Sequence, residues 1–480
     1  MSPEPGSTTP SRSFGWTVAA TCVVLALVSG ALVGASALIG LRVEVSLPDP
    51  ERSVNAAHQA VVLTANQQLQ PIDADDVDIT PAVPFSLTAS ANRITIVLDE
   101  VLDHATDYRI EVDGVSGSFG DEPATIARTF TTPAAGLVIE REGPAGDELV
   151  LVEPAEAGSI GDPTGQPAET TLLTGRTISD FTAGGERVLV AVAGESDGHD
   201  DLLLLQSDPD GQMSGDPVTE LAMPEPGFAS QLGIEATEQL WGFRFEASEE
   251  SADRTLDKVL LVGRGTEAPQ PVLGIDGQPL RVLDWAFLPG RPALVAQGVD
   301  QNVVLIDLRP DRPAVPLGSH PSLVTTGLDG RSMVIGEEDG LVRHDLVSGA
   351  VEPIDILRGD DRFAYPSDAV VADGFLLLSY SVVDPATHQF VQLVSVRRSD
   401  DDAPAADPGG ATPADAILFD SGTSGATVAD VALTPNGRFA AVEVSEPSTG
   451  DSRTLLFDLR AAGGPRQTAE IEGAGGSWAR

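Results

Sequence analysis

A glycine-containing turn followed by an aliphatic strand recurs along the C-terminal part of the chain, and this repetition limits the possible folds more than any other feature. It occurs in Gly184-Gly185-Glu186-Arg187-Val188-Leu189-Val190, Pro289-Gly290-Arg291-Pro292-Ala293-Leu294-Val295 and Asp329-Gly330-Arg331-Ser332-Met333-Val334-Ile335. The same device returns in Asp373-Gly374-Phe375-Leu376-Leu377-Leu378 and Pro435-Asn436-Gly437-Arg438-Phe439-Ala440-Ala441-Val442. Another aliphatic strand follows each, ending three times in Asp-Leu, at Asp307-Leu308, Asp345-Leu346 and Asp458-Leu459. Asn-Gly and Asp-Gly favour hairpins because both residues tolerate positive φ. Two linked hairpins make a four-stranded blade. Gly290, Gly330 and Gly374 stand 40 and 44 residues apart, matching the period of about 40–50 residues in propellers. The expectation is a β-propeller over residues 136-480, with units beginning near Leu137, Ile178, Phe228, Val282, Leu323, Asp368 and Val428, hence about seven blades, with six or eight as the alternatives. The stretch from Ser399 to Pro413, rich in Asp, Ala, Pro and Gly, reads as a loop insertion.

Ahead of the repeats, residues 41-134 hold shorter strands, with Arg42-Val43-Glu44-Val45-Ser46, Ala60-Val61-Val62-Leu63-Thr64 and Arg93-Ile94-Thr95-Ile96-Val97-Leu98 followed by Tyr108-Arg109-Ile110-Glu111-Val112 and Ala127-Arg128-Thr129-Phe130-Thr131-Thr132. Alternation such as Ile94, Ile96, Leu98 against Thr95, Val97 suits a sheet that buries one face. About 90 residues is the size of an immunoglobulin-like β-sandwich.

Two resemblances sharpen this reading. Asp75-Asp76-Val77-Asp78-Ile79-Thr80-Pro81, Arg93-Ile94-Thr95-Ile96 leading to Leu102-Asp103-His104-Ala105-Thr106-Asp107-Tyr108-Arg109-Ile110, and Phe130-Thr131-Thr132-Pro133 resemble the bacterial Ig-like domain of the S-layer protein (SbsA) type. The asparagine-rich loop usual before the last strand is replaced by Gly120-Asp121-Glu122-Pro123. The resemblance implies a spacer or adhesion module. Ala432-Leu433-Thr434-Pro435-Asn436-Gly437-Arg438-Phe439-Ala440 is similar to the strand entry of TolB-type and other WD40-like bacterial propellers, which implies a rigid docking platform.

No charged residue lies between Arg12 and Arg42, and residues 14-40 are almost wholly apolar or small. A bilayer core of roughly 30 Å needs about 20 helical residues, whereas a secretory apolar region is about 7–15 long. The segment therefore reads as an uncleaved single-pass transmembrane helix, with two rivals: a cleaved signal peptide ending at Ala35-Ser36-Ala37, and a buried core helix. Arg12 and Arg42 flank the run almost symmetrically, so orientation rests on length: the short, Pro- and Gly-rich tail 1-13 stays in the cytoplasm and the long body is exported. The sole cysteine, Cys22, lies inside the run behind Ala19-Ala20-Thr21, a poor lipobox, and reads as membrane-helix filler.

With 73 Asp and Glu against 28 Lys and Arg, the net charge is -45, which argues against nucleic acid and anionic lipid surfaces as partners. Asp307, Asp345 and Asp458 invite a metal or catalytic reading, yet identical placement in successive blades is what turn caps give. The loop Asp197-Gly198-His199-Asp200-Asp201 offers donors for a divalent ion but lacks the full calcium-loop pattern, as does Asp208-Pro209-Asp210-Gly211. Gly422-Thr423-Ser424-Gly425 is not a nucleophile elbow. The histidines at 58, 104, 199, 320, 344 and 388 show no zinc spacing. Trp241, Trp285 and Trp478 read as blade packing, with a sugar-stacking platform as the alternative. No catalytic, cofactor-binding or metal residue is assigned, and no cofactor is expected. The expectation is a membrane-anchored extracytoplasmic binding or scaffolding protein of the cell envelope, non-catalytic, with a protein or glycan partner; the alternative is a propeller hydrolase or lectin acting on envelope glycans or peptides.

Overall fold

The computed structural model describes residues 16, 20–25, 27, 41–117, 123–154, 167–194, 199–207, 213, 218–248, 254–356, 364–372, 374–384, 387–398, 415–461 and 464–479. The expected tail and most of the expected anchor lie outside them, as do the loop insertion and Gly120-Asp121-Glu122. Trp16, residues 20–25 and Leu27 are helical, and Trp16, Val23, Val24, Leu25 and Leu27 are exposed. Among the described residues no helix is long and apolar enough to cross a membrane.

The described chain is all-β apart from short helices, and it divides into two compact units that interleave in sequence. The first holds the chain up to Pro48, Ala60–Leu98 and Tyr108–Phe130; the second holds Asp49–Gln59, Asp99–Asp107 and Thr131–Arg480.

In the first unit, β1 (Val43–Ser46), β2 (Gln59–Ala65), β3 (Val77–Thr80), β4 (Phe85–Ser90), β5 (Arg93–Leu98), β6 (Asp107–Val115) and β7 (Ala124–Thr131) form two sheets, ordered β1-β2-β5-β4 and β3-β6-β7. Each buries alternate residues. Val61, Leu63, Ile94, Ile96 and Leu98 are buried on one sheet, and Val77, Ile79, Tyr108, Ile110 and Val112 on the other.

Among the described residues the second unit contains seven four-stranded antiparallel sheets. Six are consecutive in sequence, with first strands Ile178–Gly184, Gly227–Glu235, Val282–Phe287, Ser322–Thr326, Ala364–Ala372 and Thr427–Leu433; these are blades II to VII. Blade I is composite: Leu137–Gly143, Gly146–Glu153 and Ala168–Arg176 pair in that order, and its inner strand is the C-terminal Ala474–Trp478. Each first strand touches the next around the set, and Ala474–Trp478 touches those of blades VII and II, so the ring closes. This is a seven-bladed β-propeller. The expected first unit near Leu137 begins one strand outward, because the chain leaves the inner position of blade I to its own C-terminal end.

The strand sequences follow from position in the blade. Second and third strands lie between neighbouring blades and are buried on both faces, so Val188-Leu189-Val190-Ala191-Val192 and Leu202-Leu203-Leu204-Leu205 are unbroken aliphatic runs rather than alternating ones. Outer strands such as Val351–Ile354 are wetted. The described apolar core falls into clusters that each join two adjacent blades, including one of Leu137, Ile139, Val150 and Val152 with Ala441, Leu456 and Ile471 across the closing seam. Polar staples add to this: the amides of Ile178, Ala229, Leu323 and Val428 donate to Asp147, Asp200, Gln297 and Gln392 of the preceding blade, at 2.9, 3.1, 3.2 and 2.9 Å. The turn glycines singled out by the repeat, Gly185, Gly290, Gly330, Gly374 and Gly437, all have positive φ, between 60 and 73°. Adding a Cβ at Gly330 would place it 2.2 Å from the Pro289 carbonyl oxygen, so this position tolerates no side chain.

Candidate functional site: an acidic funnel in the ring

Each inner strand enters the ring at one rim, the entry rim, and leaves through its hairpin turn at the other. Shortly after entry every inner strand shifts register against its neighbour: at Ile178/Asp180, Ser230/Gly233, Val282/Asp284, Leu323/Thr325, Pro366/Asp368, Val428/Asp430 and Ala474/Ser477. A bulge inserts an unpaired residue and re-aims the side chains around it. In four blades pairing resumes at an aspartate: Asp180, Asp284, Asp368 and Asp430. The amides of Trp285 and Ala369 donate to the carboxylates immediately before them, both at 2.7 Å. Leu232 N donates to Asp180 at 3.2 Å.

These carboxyls, with Glu140 and Glu443, form an arc of like charge. Burial pushes Asp368 up to about 6, and Asp284 adds repulsion. Asp430 rises to about 7 through burial, then Asp368 and Glu443. Glu140 rises to about 7 through burial, with Asp147, Glu443, Glu142 and Asp180 contributing. Asp180 and Asp284 also rise through burial, against the hydrogen bonds they accept. Arg244 opposes the rise at Asp284; its guanidinium donates to Glu246 and to the Leu283 carbonyl, which leaves the blade III–IV side partly neutralised. Toward the exit rim the ring encloses a cavity of about 370 Å³, lined among others by Thr182, Leu232, Trp285, Thr325, Val431 and Asn55 of the helix Pro50–Asn55.

The funnel carboxylates cost stability, and the sign is fixed. A folded-state value above the unfolded one gives stability that is complete below the unfolded pKa and lost as pH rises through the folded value. For Asp368 the loss runs from about pH 4 to about 6. Asp368→Asn keeps an oxygen for the Ala369 amide and removes the charge, so it is expected to stabilise the protein by about 1–3 kcal/mol at pH 8 and by nothing near pH 4. Thermal melts of both chains at the two pH values check this; a variant less stable than wild type at pH 8 would contradict it. Asp430, although enclosed by the surrounding ring, keeps its side-chain surface in contact with channel water, which screens the equivalent change there.

The residues singled out from the sequence are dispersed. Asp307, Asp345 and Asp458 end third strands and hold their own turns: Asp307 accepts from Arg309 N (3.0 Å), Asp345 from Val347 N (2.9 Å) and Ser348 N (2.6 Å), Asp458 from Arg460 N (2.9 Å). The turn-cap reading accounts for all three. In the acidic loop, Asp197 and Gly198 lie outside the described residues, as does Asp208-Pro209-Asp210-Gly211; Asp200 is spent on Ser179 Oγ and Ala229 N. Ser424 ends the one-turn helix Ser421–Ser424 that Asp420 caps. Trp241 and Trp285 are core, their indole N–H groups donating to the Gly265 and Gln231 carbonyls at 2.8 and 3.1 Å; Trp478 is half-buried and lines the cavity. His104 is buried, and His199 and His320 pair separately with Asp201 and Glu337. Among the described residues no group of three or more His, Cys, Asp or Glu is placed to hold a metal ion.

Sequence reasoning missed the four funnel aspartates as a set. The available signal was a recurring pattern, an aspartate before an apolar residue near the start of four of the units, as in Ile178-Ser179-Asp180-Phe181, Val282-Leu283-Asp284-Trp285 and Val428-Ala429-Asp430-Val431.

No protein-family model matches the chain, and no curated protein matches it. Among solved structures, dihydro-heme d1 dehydrogenase NirN in complex with DHE is similar over 71% of this chain and 74% of that one, with TM-score 0.39 and 13% sequence identity. The assignment of the propeller rests on strand order and ring closure.

Proposed function

We propose that this chain is a membrane-tethered, extracytoplasmic binding platform of the cell envelope: an N-terminal helix in the bilayer, an Ig-like spacer, and a non-catalytic propeller that docks a partner. The observation that carries the platform reading is the set of large apolar side chains exposed at the entry rim. Phe228, Leu283, Tyr365 and Phe390 are 41%, 41%, 54% and 69% exposed on three of the blades, Tyr365 and Phe390 touch each other, and contiguous exposed apolar groups mark interaction surfaces. The order β1-β2-β5-β4 with β3-β6-β7 is the ABED and CFG arrangement of the seven-stranded immunoglobulin constant type, which supports the Ig-like reading. The exposed helical residues Val23, Val24, Leu25 and Leu27 support a bilayer-embedded segment.

The tether and the side of the membrane are tested together. With Cys22 replaced by Ser, a single cysteine at Ser448, on an exposed turn, serves as reporter. The full-length chain is expected to stay with membranes through alkaline carbonate washing, and Ser448→Cys to react with an impermeant maleimide in intact cells. Release of a shortened chain starting near Leu38, or labelling only after lysis, would refute the reading.

A propeller hydrolase has one observation in its favour: Asp368, Asp430 and Glu140 sit at about 6 to 7, the range suited to a general acid. Turnover of an envelope glycan or peptide that Asp430→Asn abolishes would favour it.

A further inference from the structure

Two features of the entry rim lie together on blade VI. Among the described residues Tyr365 and Phe390 are the most exposed aromatic side chains of the ring, and they contact each other edge-on, with centroids 5.9 Å apart at 66°. Tyr365 is the second residue of inner strand Ala364–Ala372, and Phe390 opens Phe390–Arg398, which runs in the same direction. Three residues beyond Tyr365 on the same strand stands Asp368, and Asp430 follows on the inner strand of blade VII. An exposed aromatic pair therefore borders the stretch of funnel where like charge accumulates and where, among the described residues, no arginine lowers the carboxyls, unlike Asp284 beside Arg244.

We propose that this rim binds an extended segment of a partner protein in which arginine or lysine alternates with apolar residues, the cationic side chains entering the funnel toward Asp368 and Asp430 and the apolar ones covering Tyr365 and Phe390. This deepens the platform reading and rests on it. Charge complementarity selects the occupant: in an extended strand alternate side chains point to opposite faces, so one face delivers cations to the carboxylates while the other packs on the rings. Arginine also stacks on aromatic faces. A neutral or acidic segment leaves the carboxylate repulsion unrelieved, and a small cation leaves the rings exposed. The chain's net charge of -45 draws a basic segment in from a distance.

The test uses the full chain in nanodiscs of zwitterionic lipid and a fluorescent, acetylated and amidated octapeptide of alternating leucine and arginine, with empty nanodiscs as blank. Binding is expected at about 50 mM salt and is expected to weaken roughly tenfold at about 300 mM. The double variant Asp368→Asn, Asp430→Asn and, separately, Tyr365→Ser, Phe390→Ser are each expected to weaken it by roughly tenfold or more. Glu220→Gln with Glu352→Gln, which removes two charges from exposed outer strands, should change it by less than about twofold. The same peptide with glutamate for arginine should not bind. An equal loss in the outer-strand variant, no binding at all, or spermidine binding as tightly as the peptide while the aromatic variant binds unchanged would each overturn the proposal. Capture of an envelope protein that survives both rim variants overturns the rim assignment and leaves the platform reading standing. Peptide binding that depends on the rim, with no envelope partner captured by wild type, supports the rim and counts against the platform.

Discussion

A chain ending at Gly473 is expected to lose the cooperative fold of the ring. Ala474–Trp478 is the inner strand of blade I, paired through Ala474↔Glu140, Ser477↔Val138 and Trp478↔Leu137. It also links the two ends of the ring: Ser477 Oγ accepts from Ala183 N of blade II at 2.9 Å, and Gly475 N donates to Glu443 of blade VII at 2.6 Å. Ala479 N closes the strand by donating to Gly136 O at 2.7 Å. Without it, Leu137 and Ile139, fully buried now, face water along an unpaired edge, and the core shared with Ala441 and Leu456 opens. Exposing several aliphatic side chains at about 1.5–3 kcal/mol each removes on the order of 5–10 kcal/mol, comparable with the whole stability of about 5–15 kcal/mol of an ordinary domain. The expected result is insoluble protein or a broad, non-cooperative melt. Ser477→Pro, which removes one backbone donor and leaves the Ala183 amide without the Ser477 hydroxyl, is expected to cause a milder loss, about 1–3 kcal/mol for each group left unpaired. A shortened chain melting within a few degrees of wild type would show that the ring does not depend on this closure.

That strand also shows where reading the sequence stops. Blades II to VII were legible because second and third strands, buried on both faces, must be continuous aliphatic runs, and positive-φ glycines such as Gly290 and Gly437 mark the turns before them. Ala474-Gly475-Gly476-Ser477-Trp478 carries little strand propensity, and its partner Leu137–Gly143 lies at the other end of the ring sequence. Only closure makes it a strand. The funnel was illegible for a related reason. Asp284 and Asp368 are ordinary strand-edge acids in sequence, and it is the register shift beside each, together with a ring that brings blades IV, VI and VII around one channel, that turns them toward a common space. Residues 49–59 and 99–107 likewise read as parts of the first unit, yet their contacts belong to the second: Arg52 donates to Thr237 O at 2.7 Å and Asn436 Nδ2 to Leu102 O at 3.1 Å.

Among single substitutions, Arg397→Ala is expected to be the most damaging. Arg397 lies near the end of the third strand of blade VI and binds Asp415 through both arms, Nε to Oδ1 at 2.8 Å and Nη2 to Oδ2 at 2.7 Å, while Nη2 also donates to Asp355 O at 2.6 Å. The two side chains are only 10% and 11% exposed. Asp415 is where the described chain resumes before the outer strand Ala416–Asp420, so this fork ties the fourth strand to the third and blade VI to the carbonyl of Asp355, just beyond blade V. A planar guanidinium satisfies both carboxylate oxygens at once; lysine cannot. Removing it leaves a nearly buried carboxylate without its counter-charge, which costs about 3–5 kcal/mol, whereas removing both charges and refilling the volume costs far less. Arg397→Ala should therefore lose about 3–5 kcal/mol of stability in denaturant unfolding, and Arg397→Met with Asp415→Leu should recover most of that loss. If the double variant is as unstable as Arg397→Ala, the fork matters for its hydrogen bond to Asp355 rather than for neutralising Asp415. If Arg397→Ala costs less than about 1 kcal/mol, the pair behaves like a solvated surface contact, and the fourth strand is held by its ladder alone.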